Sequence, residues 1–312
     1  MKLARAVTLL LTVAAATSCR DRADAAQSQA SEVASRERQL ASRLAKADAD
    51  PSKSEPVAMW IMPNELKEIS GLALTAEGRI LAHDDEIGRV YVIDPRSGVI
   101  LKSFNLGESP PHGDFEAITV AGSDIYLLGS NGKLYVFQDG ADGENVPYSI
   151  RNTKLGKDCE FESMVFEADS NWLVMPCKHV KDKSLKDQIV IYRWKLEGPD
   201  SSRVSTITIP EARAIGSNRW KHLNPSDVAI DPANGNYVMI TSHPDKAIIE
   251  VTPGGQLVRS EPVPGDHNQP EGVAITKDSI LMVSDEATNK PAAITLYRWH
   301  PSRSPVPQKP VQ

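Results

Sequence analysis

The sequence has 312 residues, of which 40% are hydrophobic and 24% are charged, so the chain is long enough to bury one large core or two smaller ones. Aromatic residues make up only 5%, whereas 19 glycines and 22 prolines favour many short elements joined by tight turns. The formal charge of -6, without a block of lysines and arginines, excludes the electrostatic pattern of a nucleic-acid-binding protein.

Residues 1–19 have the pattern of an export signal. Lys2 and Arg5 precede an apolar stretch over 6–16 that is too short to span a bilayer comfortably. Residues 16–19 resemble a bacterial lipobox, with alanine in place of leucine at its first position. Cleavage there would leave Cys19 to carry acyl chains that anchor the protein on the periplasmic side of the inner or outer membrane. The alternative is an ordinary secretory signal in which Cys19 has no such role.

The next segment, residues 20–55, is rich in alanine, serine and charge and cannot bury enough apolar surface to fold alone. We interpret it as a flexible polar tether. Val33, Leu40 and Leu44 have a spacing that one helix face can share, so a helix over part of it is also compatible with the sequence. At the other end of the chain, residues 303–312 form a proline-rich tail.

Five internal repeats follow the tether, and three of the four intervals between them agree within one residue. The repeats are spaced 46, 46, 64 and 45 residues apart. The longer interval contains two extra polar stretches, 178–188 and 211–223, which we interpret as inserted loops or a short helix. Each repeat begins with a strand-like run, such as ISGLAL, FEAITV or PEGVAI. The equivalent second positions are Ser70, Glu116, Glu162, Ser226 and Glu271.

Each repeat continues with further short runs rich in Val, Ile and Tyr, bounded by turn residues and without a helical pattern between them. About 45 residues with four antiparallel strands are typical of a β-propeller blade. The last repeat supplies only three strands, and VAMWIMP at 57–63 supplies the fourth. We therefore predict an all-β, five-bladed β-propeller over residues 56–302, with the N-terminal strand closing the last blade. A sixth blade would have to lie within 178–223, where β-branched runs are too few.

The first strand of each blade lines the channel of a propeller, so Glu116, Glu162 and Glu271 are expected to converge at its entrance. Such carboxylates repel one another and lose hydration, so they need protons or a cation. Ca²⁺, with six to eight oxygen ligands, suits them. The alternative is that each glutamate faces solvent separately. Further acids that we predict as channel residues or additional ligands are Asp84, Asp227 and Asp285.

Two cysteines, Cys159 and Cys177, lie on adjoining strands of the third repeat. An exported protein meets an oxidising compartment, which favours a disulfide. The two positions are about three residues out of register across the predicted hairpin, however, and disulfide geometry is demanding. Both the bonded and the free state remain open at this point.

These segments together resemble a known family. ISGLAL, GDFEAITV, CEFESMVF, NQPEGVAI and MVSDE are similar to the SdiA-regulated family of bacterial envelope proteins, over residues 57–300. The resemblance implies a five-bladed propeller with a calcium site, distantly related to NHL-repeat propellers. Family motifs of the form DLE and FEG correspond to residues 114–116 and 161–163, where Ser163 replaces the usual glycine. The family has no established activity.

Two functions from different classes follow. In the first, a monomeric, membrane-tethered propeller binds Ca²⁺ and takes a protein, peptide, sugar or other small-molecule ligand on its face. In the second, the metal serves a calcium-dependent hydrolase of the lactonase, esterase or phytase type. The second rests on fold analogy, and no catalytic residue is assigned. His243, Asp227 and Asp285 are its candidates, without a distinctive spacing.

Overall fold

The computed structural model describes residues 4–197 and 203–302, with side chains from residue 27 onward. Helix α1 (Ala4–Ala49) and strand β1 (Ala58–Ile61) come before the first repeat. That repeat comprises β2 (Ile69–Leu74), β3 (Ile80–Asp84), β4 (Arg89–Ile93) and β5 (Ile100–Leu106). The second comprises β6 (Phe115–Ala121), β7 (Asp124–Gly129), β8 (Lys133–Phe137), β9 (Asn145–Val146) and β10 (Ser149–Asn152).

The third repeat comprises β11 (Cys159–Phe161), β12 (Val165–Glu167), β13 (Trp172–Val180), β14 (Gln188–Lys195) and β15 (Val204–Pro210). A short helix, α2 (Glu211–Ile215), then leads to β16 (Pro225–Ile230), β17 (Tyr237–Thr241), β18 (Ala247–Val251) and β19 (Leu257–Pro262). The last repeat comprises β20 (Pro270–Ile275), β21 (Ile280–Asp285) and β22 (Ala293–Arg298).

These strands form five sheets arranged as a ring, so the predicted five-bladed β-propeller is confirmed. Apolar side chains gather in five clusters, each between two neighbouring blades. Ile191 of the third blade and Tyr237 of the fourth share one of them, for example. The inner and middle strands are apolar on both faces because a blade covers each side, whereas every residue of the outer strand β10 is exposed.

The ring closes as predicted. Strand β1 pairs antiparallel with β22, with Ala58 opposite Leu296 and Ile61 opposite Ala293. The N-terminal strand therefore becomes the outer strand of the last blade, beside β22, β21 and β20. Alternate residues of β1 are buried and exposed, so the buried side chain of Trp60 joins the cluster between the last and first blades.

Two details of the strands differ from the repeat pattern. The run at 146–152 divides at Pro147, because proline has no amide hydrogen to donate to the strand ladder. Strand β9 pairs in parallel with β5 of the first blade, whereas β10 pairs with β8 of its own blade. From the sequence, residue 178 is also expected to lie in an inserted loop. Strand β13 instead continues to Val180 and pairs there with β11. The second insertion, 211–223, contains the short helix α2.

In the segment that we interpret as a flexible tether, the backbone is helical up to Ala49. The last turns of α1 pack against the closing blade: Leu40 is buried in the cluster between the last and first blades, and Arg36 Nη1 donates to the Ser97 carbonyl at 2.9 Å. Only the backbone is described at Cys19, and residues 303–312 lie outside the described residues. Where side chains are described, no helix is long and apolar enough to cross a membrane.

Candidate functional site

The inner strands of four blades carry a β-bulge at the position where the repeats align. In β6, for example, Phe115 lies opposite Gly129 and Ala117 opposite Leu128, which leaves Glu116 without a partner in the register. A bulge releases its extra residue from the ladder and re-aims the side chain. The aligned acids and serines are therefore bulge residues around one channel entrance. These extra residues are Ser70 with Gly71, Glu116, Ser226 and Glu271.

The third blade has a different arrangement. Its inner strand is interrupted between β11 and β12, and Glu162 lies in the gap. The bulge is on the second strand instead: Glu160 lies opposite His179 and Phe161 opposite Cys177, so Lys178 is the extra residue. The Lys178 ammonium forms an ion pair with Glu162 Oε1. This blade therefore contributes one acid and one base to the entrance, which we call the channel mouth.

Lys178 also acts on the other glutamates of the mouth. Burial raises the pKa of Glu116 to about 8, Asp114 adds to the rise, and the Lys178 charge opposes it. Burial likewise raises the pKa of Glu271 to about 7, against the opposing effect of Lys178 and of a hydrogen bond from Ser242 Oγ at 3.2 Å. Desolvation thus disfavours the ionised form of each carboxyl, and the single Lys178 ammonium does not offset this effect.

A second group of acids adjoins these glutamates. Within the described side chains, one group of three potential ligand atoms lies within 4.8 Å of one another, on Glu68, Asp84 and Asp85. Burial raises the pKa of Asp85 to about 7, and the charge of Glu68 adds to the rise. Asp85 Oδ1 is buried without a hydrogen-bond partner. The pKa of Glu286 is raised by burial and by Glu68, while Lys178 opposes the rise, so this acid connects the two groups electrostatically.

The chemistry of these donors fits a hard cation. Glu116, Glu162 and Glu271 offer carboxylate oxygens, and Glu162 Oε2 is buried without a hydrogen-bond partner. The three glutamates are not among the side chains that approach within 4.8 Å of one another, since that description fits Glu68, Asp84 and Asp85 alone among the described side chains. The Lys178 ammonium contacts Glu162, and its charge acts on Glu116 and Glu271. The residues that could hold Ca²⁺ are thus present, with a protein ammonium beside them.

The additional predicted channel residues bind protein groups. Asp227 is 1% exposed, and its Oδ2 accepts hydrogen bonds from the amides of Val273 at 2.7 Å and Leu72 at 3.5 Å. Asp285 binds His267 Nδ1 at 2.5 Å through Oδ2 and the Gln269 amide at 3.1 Å through Oδ1. These two carboxylates therefore hold backbone and side chains in place.

Asp84 and His243 complete the predicted residues. Asp84 Oδ1 accepts hydrogen bonds from the amides of Glu86 and Ile87, so the carboxylate shapes the turn after β3 while also belonging to the outer acidic group. His243 is exposed, and its carbonyl accepts a hydrogen bond from Asn224. The hydrolase candidates Asp227 and Asp285 thus bind separate protein groups through their carboxylates, whereas the contact of His243 is through its backbone carbonyl.

Cys159 and Cys177 are joined in a disulfide in the structure, with Cα atoms 5.8 Å apart. The bond links β11 to β13 on either side of the bulge that presents Lys178. Because Cys177 directly precedes Lys178, the backbone at the base of this lysine is tied to the neighbouring strand.

Behind the mouth, the channel contains a cavity of about 160 Å³ that is lined mainly by residues with apolar side chains. Equivalent segments of all five blades line it, namely 72–74, 118–120, 164–166, 228–230 and 273–275. The acids and Lys178 therefore belong to one end of the channel, where a polar ligand can interact with the ring.

Lys178 is the charged residue of the channel mouth that sequence reasoning missed. A signal was available, because Lys178 directly follows the run NWLVMPC, as Glu286 follows SILMVSD in the last repeat. Equivalent positions in a propeller face the same end of the channel. A base and an acid at this repeat position predict opposite charges at one mouth.

Comparison with known proteins supports the fold. No protein-family model matches the sequence, and no curated protein matches it. Among solved structures, glutaminyl cyclase from Myxococcus xanthus superposes with a TM-score of 0.52 and 12% identity, covering 78% of this chain and 95% of that one. The PQQ-bound aldose sugar dehydrogenase from Streptomyces coelicolor superposes with a TM-score of 0.50 and 11% identity, covering 79% and 99%. At these identities the similarity establishes that the chain has a β-propeller fold and goes no further.

Proposed function

We propose that the channel mouth binds Ca²⁺ and that the protein is a binding module of the SdiA-regulated type, anchored in the bacterial cell envelope. The main support for the cation site is a set of buried carboxyl groups with too little positive charge beside them. Burial raises the pKa of Glu116 to about 8 and that of Glu271 to about 7. A divalent cation would favour the ionised form of both. Glu162, with its unpartnered Oε2, would complete the ligand set.

A cation at this position would also explain why the acids are spread over three blades. Glu116 and Glu271 lie at bulges of the second and last blades, and Glu162 lies in the strand gap of the third. Rotation of the three side chains onto one ion would connect these inner strands and keep the mouth rigid for a protein or small-molecule partner. The export-signal pattern ending at Cys19 supports the envelope anchor.

Calorimetric titration of Ca²⁺ into the chelator-treated protein tests the site. We expect saturable binding in the wild type and at least tenfold weaker binding in Glu116→Gln, Glu162→Gln and Glu271→Gln, because each variant loses a charged ligand. Glu261→Gln is the control, since that side chain is 46% exposed on the outer strand β19. Absence of binding in the wild type, or equal binding in all the variants, would reject the calcium site.

A calcium-dependent hydrolase is the second candidate, and one observation favours it. Asp85, which is outside the three-glutamate ligand set, has a pKa raised by burial to about 7, in the range where proton exchange near neutral pH is efficient. A bound metal would supply Lewis-acid activation of water or of a carbonyl group. Incubation with ester, lactone and phosphate-ester substrates, with and without Ca²⁺, separates the two functions: the binding module predicts no turnover in either condition.

A further inference from the structure

The position of Lys178 among the acids of the mouth has a consequence for cation binding. We infer that Lys178 is the resident counter-ion of the mouth and that an incoming Ca²⁺ displaces its ammonium toward solvent. This inference rests on the calcium site proposed above. Lys178 then competes with Ca²⁺ for the same carboxylates, so the mouth has one state occupied by the lysine ammonium and another occupied by the metal ion.

Lys178 and the metal ion need the same carboxylate oxygens of the mouth. The Lys178 ammonium contacts Glu162 Oε1, and Glu162 is the most enclosed of the three glutamate ligands proposed here, with 9% of its side chain exposed. The lysine charge also reaches Glu116 and Glu271. Two cations that share one carboxylate in a partly buried pocket repel each other, which favours departure of the lysine ammonium when the divalent ion binds.

The Lys178 side chain also has a route into solvent. Its side chain is 26% exposed, so a path to water is already open. The neighbouring disulfide between Cys159 and Cys177 holds the backbone on one side of the bulge. Displacement therefore needs a rotation of the flexible lysine stem and no change in strand pairing. The long stem can lie along the rim while its charged end is hydrated.

Calorimetry with three lysine variants tests the competition. Lys178→Met keeps the stem and removes the charge, so we expect it to bind Ca²⁺ about tenfold more tightly than the wild type, or more. Lys178→Arg keeps the charge and is expected to bind no more tightly than the wild type. Lys67→Met is the matched control, because the Lys67 ammonium pairs at 2.9 Å with Glu68 of the adjoining acidic group and does not contact Glu162. A similar gain in Ca²⁺ affinity in Lys67→Met would show that removal of any nearby positive charge has this effect, and it would reject displacement of Lys178.

Amine modification of the unaltered protein provides a second test that needs no variant. Acetylation of lysines is followed by mass spectrometry with and without saturating Ca²⁺. We expect the labelling rate of Lys178 to rise severalfold with calcium, whereas that of Lys181, which donates to the exposed Gly156 carbonyl at 2.6 Å, stays constant. A rate for Lys178 that falls or does not change would overturn the displacement.

The two proposals fail in different ways. If the wild type binds Ca²⁺ while Lys178→Met binds it equally or more weakly, the calcium site stands and the displacement is rejected. If neither the wild type nor Lys178→Met binds Ca²⁺, both are rejected. If only Lys178→Met binds Ca²⁺, the lysine blocks the mouth permanently, and both the calcium site of the wild type and the displacement of Lys178 are rejected.

Discussion

Asp227 shows how one residue can hold several blades together. It belongs to β16 of the fourth blade, yet its Oδ2 accepts hydrogen bonds from Val273 of β20 and Leu72 of β2. Those strands are the inner strands of the last and first blades. Burial raises the pKa of Asp227 well above its usual range, because the surroundings disfavour a charge there. The residue therefore ties three inner strands together at the channel.

Replacing Asp227 with alanine is expected to destabilise the fold. The buried amides of Val273 and Leu72 would lose their acceptor, which costs roughly 2–4 kcal/mol of unfolding free energy in total. Asp227→Asn keeps a carbonyl acceptor and is expected to cost less than half as much. Urea denaturation measures both, with Asp266→Ala as the control, since the Asp266 side chain is 87% exposed. Equal stability of the alanine variant and the wild type would contradict this role.

Glu116 leads to a prediction about pH. Its pKa is about 8 in the folded protein against 4.5 ordinarily, so the protonated form stabilises the fold. This contribution is fully present below pH 4.5 and is lost as the pH rises through 8. Without calcium, Glu116→Gln should match the wild type near pH 4.5 and exceed its unfolding free energy by roughly 2–4 kcal/mol near pH 9, allowing for partial exposure. Denaturation in chelator at both pH values checks this, and a constant difference would contradict it.

At the scale of elements, the bulges bring the inner strands close together. A Cβ atom at Gly272, next to bulge residue Glu271, would lie 2.3 Å from Ser284 Oγ and 2.8 Å from Leu72 Cγ. The glycine is required because another blade approaches its backbone. The same bulge that turns Glu271 toward the mouth therefore also sets how tightly the first and last blades pack.

Gly272→Ala is expected to lower the unfolding free energy by about 1–3 kcal/mol, because the added methyl group forces the two strands apart. Gly254→Ala is a suitable control: its nearest neighbour would be Thr252 Oγ1 at 3.7 Å, an ordinary contact. Thermal unfolding of both variants measures the difference. If Gly254→Ala proved as damaging as Gly272→Ala, close approach of the blades would not be the cause.

The elements differ in how far the sequence predicts them. Repeat spacing locates the inner strands, because every blade repeats an acid or serine followed by an apolar run. Register across two strands depends on both partners, so the bulge at Lys178 and the split at Pro147 are not visible in either strand alone. The grouping of Glu116 and Glu271 follows from symmetry. The enclosure that raises the pKa of these residues depends on packing between blades, which only the folded chain reveals.

For the whole molecule, closure of the ring depends on one short strand. Trp60 of β1 donates its indole hydrogen to the Pro95 carbonyl at 3.0 Å and packs against Gly98, where an added Cβ would lie 2.4 Å from the Trp60 ring. Its side chain thus joins the closing strand to the first blade. The neighbouring Met59 points outward and is 52% exposed. Along β1, the buried residues therefore contribute to closure of the ring, whereas the exposed residues lie on its outer surface.

Trp60→Ala is therefore expected to cost about 3–5 kcal/mol of unfolding free energy, since it removes a large buried side chain at the closure. Met59→Ala, one position away in the same strand, should change it by less than about 1 kcal/mol. Chemical denaturation monitored by circular dichroism compares the two. Similar losses in both variants would show that the closing strand, rather than the buried indole, determines the effect.

The pairing of Ala58–Ile61 with Ala293–Leu296 also has a consequence for synthesis on the ribosome. The partner of β1, strand β22, is translated after all the other described strands of the ring, so β1 stays unpaired until the last blade has been synthesised. Earlier blades can form in order before then, but the last sheet has an open edge until β22 is available, and such an edge is prone to intermolecular pairing. Truncated chains that end before Ala293 are consequently expected to aggregate, however stable their first four blades are.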